Sequence, residues 1–199
     1  MTLLRTDASR TLEKQLTVAR QSSRTLLVHR TFLDWAQPAA TTAIEQAASA
    51  GAQVRLVAAG QRIDLDEDLL LEILHPDISF DSPNDNSNSL VLSLQYAGRR
   101  ILLTGDLEKD GLARLLRSDR LDTDVLLSPH HGSHAANTRD LARWSTPEWL
   151  LVSCRDDAVR EKLEANFGSA TQVVTTARSG AICCTISSNG DLSIIPYRQ

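Results

Sequence analysis

Two short apolar runs, Ile101-Leu102-Leu103 and Val125-Leu126-Leu127, each break off into a cluster of chemically capable residues. The first runs into Thr104-Gly105-Asp106. The second runs into Ser128-Pro129-His130-His131-Gly132-Ser133-His134. A strand apolar at successive positions is covered on both faces, which is the signature of a layered α/β fold rather than of a sheet open to water. A helical pattern over 108–116 separates the two runs, so the chain is read as strand, helix, strand, with polar residues delivered at the strand ends.

The remaining elements follow from periodicity and punctuation. Residues 1–22 read as a helical segment, through Leu12, Leu16 and Ala19 at three-to-four spacing, and 23–199 as one domain. Strands are predicted at 25–28, 54–57, 62–65, 69–74, 89–96, 99–104, 123–127 and 149–153. Pro38 opens a helix that Gly51 closes, and further helices are predicted over 137–144, capped by Asn137 or Thr138, and over 157–167. Ala97-Gly98 and Asn189-Gly190 mark hairpin turns, and 76–88 is one long polar loop. Cys154, Cys183 and Cys184 lack metal spacing and are read as small buried strand residues.

With 199 residues, 42% hydrophobic and 23% charged, the chain can bury a core, and disorder of its bulk is excluded. A net charge of −4 argues against holding DNA by broad electrostatic attraction. No apolar run approaches the ~18 residues that span a bilayer. The first residues lack the apolar core of a secretory signal, so the expectation for this chain is soluble and cytoplasmic.

Imidazole is the commonest metal ligand, and three histidines here fall within five residues beside a glycine. An aspartate and a histidine at the ends of neighbouring strands supply one oxygen and one nitrogen, a mixture that zinc or manganese accepts. The aspartate alone reads equally as a helix cap.

The run Asn86-Ser87-Asn88-Ser89-Leu90-Val91-Leu92, then Leu102 to Asp106, then Asp124 to Ser133, resembles the metallo-β-lactamase-fold domain of the ComEC competence proteins over roughly residues 50 to 195. The resemblance implies an αββα four-layer sandwich with a divalent metal site, zinc or manganese, at one edge of its sheets. It implies Asp106 and His130 or His131 as metal ligands. Ser133, Asn86 and Arg139 are the candidate substrate-binding residues. It further implies DNA as partner, in a nuclease-type hydrolysis of phosphodiesters by metal-activated water during DNA uptake. The parent family is integral to the cell membrane, so a membrane channel is an implied partner.

The family's upstream HxHxDH-like signature has no counterpart here. His75-Pro76-Asp77 begins like one but continues into Ser79 and Phe80, and His29 with Asp34 does not match. The domain is therefore expected to be partial, incomplete at its N-terminal side, with a metal site short of ligands. Three readings follow. One is a metal-dependent hydrolase fragment, inactive as this chain alone and completed by a separate chain carrying the missing motif. Another is an inactive binding or scaffolding module of the same fold. The third is an active metallo-hydrolase of the same fold with another substrate and other metal ligands.

Overall fold

The computed structural model describes residues 25–28 and 38–197. The helical segment expected at 1–22, together with His29 and Asp34, lies outside the described residues. The chain divides into two compact units, Met1–Ala58 and Ala59–Gln199, a boundary well inside the single domain expected over 23–199.

In the first unit β1 (Thr25–Val28) pairs in parallel with β2 (Gln53–Leu56), and α1 (Pro38–Ser49) connects them. Proline suits the first helical position because its missing N–H has no partner there anyway.

The second unit is built on a seven-stranded sheet in sequential order: β3 (Arg62–Asp66), β4 (Leu69–His75), β5 (Val91–Tyr96), β6 (Arg99–Leu103), β7 (Val125–Leu127), β8 (Trp149–Val152) and β9 (Gln172–Thr175). Strands β3 to β6 are antiparallel, β6 to β9 parallel. Each parallel step needs a crossover, and three helices supply them: α2 (Lys109–Leu115), α3 (Arg139–Ser145) and α4 (Arg160–Phe167). A short α5 (Thr176–Ser179) follows β9, and β10 (Ile182–Ile186) with β11 (Leu192–Pro196) forms a terminal hairpin.

Register puts Val91, Leu102, Leu126, Leu150, Val152 and Val173 in one cluster with Leu112 and Leu115 of α2, Leu141 and Trp144 of α3, and Leu163 and Phe167 of α4. Leu94, Ile101 and Val125, a register row outside that cluster, are buried as well. The double-faced apolar runs of β6 and β7 are thereby explained.

The architecture is mixed α/β, as expected. The second unit holds the large sheet with its helices, and the first a much smaller β1–β2 sheet with α1. Three local readings need correction. The 157–167 helix begins as a 3₁₀ turn at Asp157–Val159 and becomes α-helical only from Arg160. The 76–88 loop contains a 3₁₀ turn, Asp85–Asn88. The cysteines are not buried: Cys183 is exposed on the hairpin, and Cys154 and Cys184 are half-buried. In a two-stranded hairpin one face of each strand stays open to water.

Candidate functional site

Parallel strands place their following loops at one edge of a sheet, and ligand sites in such sheets lie outside those carboxyl ends. Asp106 follows β6, His130 and His131 follow β7, and Ser153 follows β8. The loops are locked together by hydrogen bonds. The Thr104 hydroxyl donates to Leu127 O (2.7 Å), His130 N–H to Gly105 O (3.1 Å) and Ser128 N–H to Leu151 O (2.8 Å).

The histidine turn has an uncommon backbone. His130 (φ 48°, ψ 51°) and His131 (φ 53°, ψ 31°) are both left-handed, and Gly132 (φ 85°) continues the run. Left-handed conformations disfavour residues bearing a Cβ, so the surroundings must hold the turn. Asn137, fully buried, does much of this. Its amide donates to Pro129 O (2.9 Å) and Ser133 O (2.8 Å), and its carbonyl accepts from the Ser128 hydroxyl (2.7 Å). Sequence reading gave Asn137 only as an alternative helix cap. The capping role belongs to Thr138, whose hydroxyl accepts from Leu141 N–H.

The turn sends its two imidazoles to different partners. His131 Nδ1 lies 2.9 Å from Ser153 O. A carbonyl only accepts, so Nδ1 carries a proton, and in the neutral ring Nε2 presents a lone pair. That lone pair is 3.6 Å from Asp106 Oδ1. His130 Nδ1 instead donates to Glu108 Oε2 at 3.0 Å.

Glu108 is the functional-site residue that sequence reading missed. Its side chain is only 10% exposed and also receives Asn86 Nδ2 (3.3 Å) and Asn84 Nδ2 (3.4 Å). Burial by itself would raise its carboxyl pKa. The hydrogen bonds from His130 and Asn86, with the charges of His130 and Lys109, outweigh burial and hold it below the ordinary value. Its position two residues after Asp106, at the mouth of a helix, made it read as an ordinary first-turn acid.

The 3₁₀ turn at Asp85–Asn88 closes the same edge. Ser87 Oγ donates to Glu108 O (3.0 Å), and Gly111 of α2 packs so tightly on this turn that a Cβ there would fall 2.1 Å from Ser87 O. Asn86 therefore lies near the histidine turn, through Glu108. Ser133 contributes backbone groups, its N–H donating to His130 O (2.9 Å). Arg139 is exposed on the first turn of α3 and makes no hydrogen bond or ion pair to this cluster. His75 is buried and has a packing role: its Nε2 donates to Ser87 O (2.8 Å) and its ring meets Phe80 edge-on.

Asp106 and His131 are the pair that could hold a divalent ion. Two ligand atoms each ~2.1 Å from a tetrahedral metal lie about 3.4 Å apart, close to the 3.6 Å observed. The donor chemistry fits; the donor count does not. Among the described residues no three His, Cys, Asp or Glu side chains converge on one point. Among the same residues no helix is long and apolar enough to cross a membrane.

No family model matches the chain. It is 25% identical over 142 residues to ComE operon protein 3 of Bacillus subtilis (strain 168), an overlap of 71% of this chain and 18% of that protein. The chain thus matches about a fifth of that relative's length. A solved structure of a Parabacteroides distasonis (ATCC 8503) protein assigned as a metal-dependent hydrolase superposes with a TM-score of 0.48 at 13% identity, covering 78% of this chain and 77% of that one. The similarity to a ComE operon protein agrees with the ComEC resemblance carried by the order of the motifs at the sheet edge.

Proposed function

We propose that this domain keeps one half of a divalent-metal site, Asp106 with His131, on a ComEC-like metallo-hydrolase scaffold. The observation that carries the reading is how His131 is held between Ser153 O and Asp106. Its Nδ1–H is fixed on Ser153 O, which leaves the Nε2 lone pair facing a carboxylate oxygen 3.6 Å away. Two electron-pair donors facing each other repel unless a cation or a proton lies between them. Of the adjacent pair, His131 is taken as the ligand because its Nε2 is the one that lies 3.6 Å from Asp106 Oδ1, while His130 turns to Glu108.

Two donors are too few for catalysis, so hydrolytic activity on phosphodiesters, with DNA as the substrate, requires ligands from outside the described residues. A second chain or another segment of a larger membrane-associated protein would bring them. In that assembly the metal would supply activated water, zinc and manganese being the ions suited to one imidazole and one carboxylate. Ser133, Asn86 and Arg139 would meet substrate at the same edge.

The test is Mn²⁺ and Zn²⁺ titration by calorimetry of the purified chain, beside Asp106→Ala and His131→Ala, with His130→Ala as the contrast. Weak binding, lost in the first two variants and weakened less in the third, is expected. A folded chain that takes up neither ion would leave the inactive scaffold as the reading.

A further inference from the structure

Glu108 stands at the N-cap of α2, yet its side chain makes no capping hydrogen bond. The preferred residues there, Ser, Thr, Asp and Asn, gain their advantage by that bond. Glu108 forgoes it and turns a nearly buried carboxylate away from the helix, a placement that is costly unless the charge is met by donors. Donors come from three different segments: His130 of the histidine turn, Asn86 and Asn84 of the 3₁₀ turn, and neighbouring Lys109, whose Nζ is 3.6 Å away. The backbone repeats the connection, since Ser87 Oγ donates to Glu108 O.

We propose that Glu108 is a positioning residue. By gathering His130 and the two asparagines onto one carboxylate, it fixes the left-handed histidine turn and so sets where His131 Nε2 stands relative to Asp106. The inference rests on the half-site reading for its consequence, but not for its geometry. His130 and His131 are consecutive left-handed residues, so the anchor of one ring bears on the torsions that aim its neighbour, beside the backbone bonds that hold the turn. Removing the anchor acts on His131 while leaving its two polar partners, Ser153 O and Asp106, in place.

The test uses the full chain, uniformly ¹⁵N-labelled, in wild type, Glu108→Ala and Glu108→Gln, with side-chain imidazole NMR and Mn²⁺ titration in parallel. In wild type both rings should show the Nδ1–H tautomer. Glu108→Ala should lose that fixed state at His130 and shift the His131 ring signals, with Mn²⁺ affinity falling about 10-fold or more, the usual effect of losing a group that orients a ligand. Glu108→Gln keeps an acceptor at the same reach and should restore most of both. If Glu108→Ala does not fold, His130→Asn cuts the same tether and His131 is read there. Unchanged His131 signals in a folded Glu108→Ala or His130→Asn would overturn the proposal. Absence of Mn²⁺ binding in wild type would sink the half-site reading alone, since the ring signals still report the positioning.

Discussion

Replacing Gly111 with alanine places a methyl group where α2 meets the 3₁₀ turn. Its Cβ would lie 2.1 Å from Ser87 O and 2.8 Å from Leu107 Cδ1. Carbon and oxygen normally stay more than about 3 Å apart, so helix or turn must move by about 1 Å. Neither moves freely. Ser87 O accepts from the buried His75 Nε2, Ser87 Oγ donates to Glu108 O, and Leu107 is fully buried. Overpacking of this kind costs about 3 kcal/mol. Weakening two buried hydrogen bonds adds about 1 kcal/mol each. Alanine's better helix propensity returns about 1 kcal/mol. The net is a loss of about 4 kcal/mol, measurable as a fall in the urea midpoint at unchanged slope, followed by tryptophan fluorescence with Trp144 and Trp149 both in this unit. Because the displaced turn carries Asn84 and Asn86, the His130 ring signals should also shift. A loss below about 1 kcal/mol, or a gain, would refute the argument that this contact locks the turn to the helix.

Other changes probe different supports of the same edge. Asn137→Ala removes three hydrogen bonds, two of them buried, and should cost about 3 kcal/mol, with His130 and His131 amides exchanging faster in hydrogen-exchange experiments. Asp77 has its carboxyl pKa lowered to about 2 by hydrogen bonds from Ser79 and Arg114, against the effect of burial. A depressed carboxyl stabilises above its unfolded value and loses that contribution as pH falls, here between about pH 4 and 2. Screening at the half-exposed Arg114 limits the effect to about 1 kcal/mol, and Asp77→Asn should flatten the acid limb of the stability curve. Ala97 sits left-handed (φ 48°) ahead of Gly98 (φ 78°) in the β5–β6 hairpin, so Ala97→Asn, the preferred residue for that turn, should raise stability by about 0.5 kcal/mol in urea unfolding.

The parallel half of the sheet was legible because β6, β7 and β8 are apolar runs that end in abrupt polar punctuation, and their order alone puts Asp106 and the histidines at one edge. β9 was not read: Gln172–Thr175 is four residues with two buried side chains, too short for a period to show. What the sequence left open was the division of labour between His130 and His131. Adjacent residues normally point to different sides, but which one meets the carboxylate depends on two left-handed torsions that no periodicity encodes. The anchor of the chosen ring, Ser153 O, is a backbone atom and carries no residue signal at all. Glu108 was hidden for a different reason, because an acid at the start of a helix already has a sufficient explanation in the helix dipole. Only the missing cap bond and the turned carboxylate separate the two explanations. The residues named from motifs were those that would touch an ion; the residues that decide where those groups stand, Glu108 and Asn137, carry their information in partners rather than in spacing.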